Sequence, residues 1–487
     1  MVRALVLACV LAASALGGCL GSIEEPLAPS HDAPVAAPPA RTHVLEGAVE
    51  PAEFLAPTFR LLGSVARGGA VLALGEPSVW AHLDGTLYVT FPGCEDPLWA
   101  ARFFAGCEHG PVYRSDDGGE RFVRLNSAPG GRLTADSPAA NGDADVAVDA
   151  AGTVYASNLG ARGIQVFRSD DRGQTWSYLG NATPARHWAD RQWMAAGAPG
   201  HLIVAWMGGA QSSHRAVAVN TTFDGGESWT GTTYLGDRIG WLGSVQFDPS
   251  GTKAFVPFTE GLDADLTRLA GQRDMSLRVA RTLDGGRSWD VVDTGVVVRT
   301  TATGLHWSGV HMAPSLDVTG DGTIVLAWSQ DEPDPTGATS VGAKVRYVTS
   351  RDDGVNWSPP AVASDRASAI MPWVTGGAGD RFAIVYYVTD SPLDTDYGGT
   401  VWDVVATYVD GASMHHAIVE AAVHVGGICS RGGLCLLTAS DRSLLDFFEA
   451  DLLPDGRLFV TYAKDTQKLI EIRVAVQDGG TGLLARP

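Results

Sequence analysis

Apolar runs that are broken by a tight polar turn and then resumed recur along the chain. They read SVWAHLDGTLYVTF from residue 78, DVAVDAAGTVYAS from 145, WMAAGAPGHLIVAW from 193, SVQFDPSGTKAFVPF from 244, SLDVTGDGTIVLAW from 315, WVTGGAGDRFAIVYY from 373 and EADLLPDGRLFVTY from 449. β-Branched and aromatic residues bounded by Gly, Asp and Pro are the grammar of short strands, and no long segment carries the 3.6-residue period of a helix. The pattern predicts an all-β chain built on seven hairpins. One turn, DVTGDG at 317–322, matches the opening of an EF-hand loop, but its twelfth position is Trp328 instead of Glu, and it falls in register with the other six turns.

After each of the first five hairpins comes a near-identical octet: SDDGGERF at 115, SDDRGQTW at 169, TFDGGESW at 222, TLDGGRSW at 282 and SRDDGVNW at 350. Their starts lie 54, 53, 60 and 68 residues apart. A period near fifty with four strands per unit is the signature of a propeller blade, so seven hairpins predict a seven-bladed β-propeller. TYVDGAS from 407 and VQDGGTG from 476 read as worn octets of the last two blades. Little chain follows the third strand of the last unit, so TFRLLGSVA from 58 is expected to supply its outermost strand and close the ring.

The octet resembles the Asp-box, or BNR, repeat of sialidases and other extracellular propellers, where it forms the turn between a blade's third and fourth strands. The chemistry agrees: an Asp carboxylate accepts turn amides, Gly takes positive φ, and the aromatic packs between sheets. Asp117, Asp171, Asp224, Asp284 and Asp352 are therefore read as structural. The resemblance covers residues 75–360 best and is similar to a broad group of exported, sialidase-like propellers. Sialidases themselves have six blades, which keeps six as the alternative count. They grip substrate with an Arg triad and use a Tyr nucleophile with a Glu partner; here the Arg60 segment FRLLG lacks the Pro of the family's first Arg motif, and no Tyr matches the nucleophile by motif. The resemblance implies a shared fold and leaves the chemistry open.

Composition narrows the partners. With 35 Lys and Arg against 55 Asp and Glu, the net charge of −20 argues against nucleic acid as a partner. Residues 1–19 have the layout of an export signal, with Arg3, an apolar run and small residues before Cys19. Leu16-Gly17-Gly18-Cys19 resembles a lipobox, which implies lipidation at Cys19 and anchoring to the cell-envelope membrane. Residues 20–57 are rich in Pro and Ala and read as an extended stalk, leaving 58–487 as the propeller, expected as a monomer. Cys94, Cys107, Cys429 and Cys435 are an even set in an exported chain and favour disulfides, 94 with 107 and 429 with 435 being the simplest of three connectivities.

If the octets mark the turns after third strands, the opposite face is built from the segments entering each innermost strand and from the loops between second and third strands. Ligands of propellers gather there, around the central channel. These segments offer Asp145, His187, Asp190, Arg191, Trp241, His306 and His311, with Glu260 from a connecting loop. Indole beside carboxylate suits a sugar, whose apolar face stacks while its hydroxyls bond acids. The histidines come from two blades without ligand spacing, so neither a metal nor another cofactor is expected. The expectation is a glycan- or protein-binding propeller. A sialidase-like glycoside hydrolase is the first alternative and an envelope-assembly scaffold the second.

Overall fold

The structure is a computed structural model that describes residues 54–69, 75–92, 112–125, 143–160, 163–209, 215–261, 271–303, 306–307, 313–333, 340–391, 400–428, 441, 443–465 and 469–484. Among them there is no helix, and seven antiparallel sheets follow one another as the blades of a propeller. From the axis outward, blade 1 is Ser78–Ala81, Leu87–Thr90, Val112–Ser115 and Val123–Arg124; blade 2 is Ala144–Val148, Val154–Gly160, Gly163–Ser169 and Ser177–Asn181. Blade 3 is Trp188–Ala196, Leu202–Gly209, Ala216–Thr222 and Thr233–Leu235. Blade 4 has its innermost strand in two pieces, Ile239–Leu242 and Gln246–Phe247, followed by Ala254–Glu260, Gly271–Thr282, Asp290–Thr303 and an added edge piece, His306–Trp307. Blade 5 is Ser315–Val318, Ile324–Pro333, Ser340–Ser350 and Ala361–Val362; blade 6 is Ser368–Gly376, Phe382–Thr389, Val401–Asp410 and Ser413–Val425. Blade 7 is Glu449–Leu452, Leu458–Asp465 and Leu469–Gly479, and its outermost strand is Thr58–Gly69, paired from Thr58 opposite Gly479 to Gly69 opposite Leu469. The ring closes as the sequence predicts.

Burial explains the uniformly apolar runs. A second strand such as Leu202–Gly209 or Phe382–Thr389 is buried at every position, because a neighbouring blade covers each of its faces. The outermost strand Ser413–Val425 instead mixes exposed and buried positions. The core therefore lies largely between blades; Phe255, Leu277 and Val279 of blade 4, for example, pack on Leu316, Leu326 and Trp328 of blade 5.

All five octets sit in the turn after the third strand and repeat one set of hydrogen bonds. In TFDGGESW, the Thr222 hydroxyl donates to Asp224 Oδ1 at 2.8 Å and accepts from Gly226 N at 2.8 Å, while Asp224 Oδ1 also accepts Ser228 N at 2.9 Å. The equivalent bonds recur at Asp117, Asp171, Asp284 and Asp352. The octet also faces outward to the preceding blade. Its fourth residue offers its carbonyl there: Arg114 Nη1 donates to Arg172 O, Arg168 Nη1 to Gly225 O, His201 Nε2 to Gly285 O and Arg281 Nη1 to Asp353 O. Gly226, at φ 94°, lies so close to Leu179 of blade 2 that a Cβ would stand 2.4 Å from its Cδ1. The turn thus staples one blade to the next.

Near the axis a second set of contacts joins the innermost strands. Glu449 Oε2 and Asp451 Oδ2 of blade 7 accept Val79 N at 3.0 Å and Ala81 N at 2.8 Å from blade 1. Asp145 of blade 2 accepts Ser78 Oγ of blade 1 and Met194 N of blade 3. Ser315 Oγ and Asp317 Oδ2 of blade 5 accept Val374 N and Gly376 N of blade 6. These amides lie on the inner edge of their sheets, where no further strand can pair them, and the acids supply the missing acceptors.

Hydrogen bonds from Ser228 and Thr222 outweigh burial at Asp224 and lower its pKa, and the backbone amide of Asn356 takes Asp352 down to about 2. A carboxyl depressed in the folded state contributes stability above its unfolded value near 4 and loses it as pH falls through the folded value. Asp224→Ala is expected to cost about 1–3 kcal/mol in denaturant unfolding at pH 6 and to blunt the loss of stability of the parent protein between about pH 4 and pH 2.

Candidate functional site

Hairpin and octet turns occupy the same end of each blade, since Gly225 N of the blade 3 octet bonds Gly200 O of its hairpin turn and Gly285 N bonds Thr252 O in blade 4. At that end the channel opens into a cavity of about 160 Å3, walled by hairpin turns and by Trp80, Leu83, Phe247 and Leu484. Toward the middle lies a chamber of about 40 Å3 bordered by Asp145, Asp317, Glu449, Asp451, Ser244 and Trp193.

At the opposite mouth, sequence and backbone geometry combine to turn one arginine inward. Blade 3 carries a β-bulge in which Asp190 pairs with Met207 and Gln192 with Trp206, leaving Arg191 unpaired at φ +50°. A continuous strand would alternate its side chains; the bulge frees Arg191 to swing into the mouth. Its guanidinium bonds Asp446 from the segment entering blade 7 and lies over the Trp241 ring of blade 4 at 4.2 Å. Its amide donates to Asp143 Oδ2 of the segment entering blade 2 at 3.0 Å. Glu76, entering blade 1, accepts Asp446 N at 3.1 Å. Segments from five blades thus meet around one cation. Beneath it, the Trp193 and Phe447 rings stand 5.2 Å apart.

Electrostatics follow from burial. Burial works against the Arg191 charge, but Asp446, Asp190, Glu76 and Asp143 hold it firmly protonated. Asp190, half-buried beside Asp143, is pushed up to about 6 by desolvation first and the neighbouring carboxylate second. It is a carboxyl able to exchange a proton near neutral pH. In the chamber below, desolvation raises Asp145 to about 7 and Glu449 well above its ordinary value. Glu449 Oε1 has no hydrogen-bond partner although the residue is 3% exposed.

Asp190, Arg191 and Trp241 come together as a cluster; the other candidates do not join it. Asp145, 4% exposed, is committed to the clasp between blades 1, 2 and 3. Glu260 accepts Asp237 N at 2.7 Å and pairs with Arg278 at 2.9 Å, locking the top of blade 4. His187 bonds the hydroxyl of Tyr234, which stands on the outermost strand of blade 3. His306 was expected on the segment entering blade 5. It lies instead on the outer edge of blade 4, where its backbone pairs with Thr303, because the chain folds back after the long strand Asp290–Thr303. His311, Cys19, Cys94, Cys107, Cys429 and Cys435 lie outside the described residues. Sequence reading passed over Glu76, whose signal is its place just before the innermost strand of blade 1, where Asp143 and Asp446 stand in blades 2 and 7.

No protein-family model matches the chain, and no curated protein does. Among solved structures it is similar to the polysaccharide lyase Uly1, at 10% identity over 85% of this chain and 91% of that one with a TM-score of 0.49. A PL25 ulvan lyase matches at 14% identity over 85% and 95%, also with a TM-score of 0.49. An α-L-arabinofuranosidase from Fusarium graminearum, in complex with an iminosugar inhibitor, matches at 12% identity over 87% and 98% with a TM-score of 0.44. No activity or residue role passes from these proteins to this chain.

A carboxyl raised by burial has the opposite linkage to the octet acids: the folded state retains a proton that the unfolded chain sheds near pH 4, so stability falls as pH rises from about 4 through 7. The melting temperature is expected to decline over that range. In Glu449→Gln the amide still accepts Val79 N and can donate to Asp145, so the decline should be visibly shallower.

Proposed function

We propose that the protein is an exported β-propeller, anchored through lipidated Cys19, that binds a neutral or basic glycan at the channel mouth opposite the octets. The observation that carries this reading is the half-exposed rim of blades 3 and 4. There Trp188, Asp190 and Trp241 are all half-buried, and Arg191, paired with Asp446, lies over the Trp241 ring. The exposed parts of these indoles suit the apolar side of a sugar ring, and Asp190 and Asp143 suit its hydroxyl or amine groups. Sialic-acid-like ligands suit the rim poorly. Arg191 is ringed by Asp143, Asp190, Asp446 and Glu76, and that surplus of acid repels a substrate carboxylate.

A second reading, glycoside hydrolysis, is favoured by one feature: burial, then the neighbouring Asp143, pushes the Asp190 carboxyl up to about 6, the direction a general acid needs.

Array screening of the purified protein against neutral, amino and acidic glycans is expected to give binding in the first two classes. Asp190→Asn and Trp188→Ala should each weaken it at least tenfold at an unchanged melting temperature. Binding confined to acidic glycans, or equal binding by both variants, would sink the assignment. Release of reducing sugar by the parent protein and not by Asp190→Asn would convert the binding reading into the hydrolytic one.

A further inference from the structure

We propose a divalent-metal site formed by His424, Asp441 and Asp465 where blade 6 meets blade 7, independent of the glycan rim. His424 lies near the end of the outermost strand of blade 6, Asp465 ends the second strand of blade 7, and Asp441 belongs to the connection between the two. One ligand atom from each lies within 4.8 Å of the others. The imidazole is fully buried, Asp465 is 12% exposed and Asp441 37%, so the cluster has a solvent side through which an ion can enter.

The ring's hydrogen bonding has the form of a metal ligand. Gly427 O lies 3.1 Å from Nε2. A carbonyl only accepts, so Nε2 carries a proton, and Nδ1 is the ring nitrogen left to face an ion. A ligating histidine is held in this way, donating its second nitrogen to a backbone carbonyl that sets tautomer and orientation. Nδ1 faces Asp465 Oδ2 at 3.5 Å and Ser443 Oγ at 3.5 Å. Two ligands each about 2.1 Å from one tetrahedral ion sit about 3.4 Å apart. The 3.5 Å between Nδ1 and Asp465 Oδ2 matches that separation. Asp441 Oδ2 lies 3.8 Å from Nε2, beside the nitrogen that donates to Gly427 O, so its half-exposed side chain has to turn toward the Nδ1 side to complete the set.

The two carboxylates carry a charge of about −2, which a divalent cation balances. The mixed nitrogen and oxygen set favours Zn2+ or Mn2+ over Ca2+, whose sites are built from six to eight oxygens. The consequence reaches the channel mouth. The segment from Ser443 to Phe448 carries Asp446 to Arg191, Phe447 to Trp193 and Phe448 to Tyr387. A metal at its start would pin the segment that carries Asp446 to Arg191 and Phe447 to Trp193.

The test uses the full chain without a polyhistidine tag, stripped with chelator and dialysed, then titrated calorimetrically and melted with Zn2+, Mn2+ or Ca2+. The expected result is one equivalent of Zn2+ or Mn2+ bound and a melting temperature raised by several degrees at saturation. His424→Ala should abolish both effects. Asp441→Asn, on a half-exposed side chain whose loss the fold tolerates, should weaken binding by 10- to 100-fold. The proposal is overturned if none of the three ions binds, if Ca2+ alone binds, or if Asp441→Asn binds as tightly as the parent protein.

Discussion

Seven sheets arranged around one axis leave seven innermost edges that no further strand can pair. This unsatisfied edge is the constraint on which the rest of the molecule depends. An amide buried without an acceptor costs on the order of 1–3 kcal/mol, and each innermost strand presents several. The chain answers with acids and hydroxyls at alternate positions of one innermost strand, aimed at the amides of the next: Glu449 and Asp451 at Val79 and Ala81, Ser315 and Asp317 at Val374 and Gly376. The answer has an electrostatic side effect. It gathers carboxyls around a small chamber, and burial there drives Asp145 and Glu449 toward the protonated form.

The octets perform the corresponding task away from the axis. Their Asp organises a turn, and the carbonyl of their fourth residue receives a donor from the preceding blade, from Arg in three cases and from His201 in the fourth. Blade-to-blade contacts thus run in two tiers, acids accepting amides near the axis and octet carbonyls accepting side-chain donors farther out. Both tiers depend on backbone groups, which is why the side chains between them vary while the period survives. At the mouth opposite the octets the backbone departs from regularity. Glu76, Arg191, Arg238, Met371 and Leu445 all take positive φ where the chain enters an innermost strand, and around Arg191 the bulge assembles the buried cluster. Left-handed backbone at non-glycine residues is costly, and it persists here because the surrounding contacts hold it.

Legibility differed sharply between fold and site. Seven hairpins, five octets and the strand at residues 58–69 were readable because each is a local pattern repeated in register, and repetition averages out the ambiguity of any single copy. Asp190, Arg191 and Trp241 were readable because they sit at the entrance to innermost strands, a position the repeat itself locates. His306 was misplaced because an added two-residue edge piece captures the chain before it reaches blade 5. Asp145 was chosen for its charge and position, which suit a clasp and a ligand equally; only the amides facing it distinguish the two.

The sequence alone determined the all-β class, the seven-fold period, the structural part played by the octet aspartates and the strand that closes the ring. These follow from local hydrogen bonding and from apolar runs that need cover on both faces. Tertiary structure alone decided which acids are spent on neighbouring amides and which remain at the surface, that Glu76 and Asp446 from distant segments meet Arg191, and that His424, Asp441 and Asp465 converge. The reason is physical. A turn is satisfied by residues within reach along the chain, whereas the charge state and availability of a carboxyl depend on groups hundreds of residues away that only ring closure brings within a few ångströms.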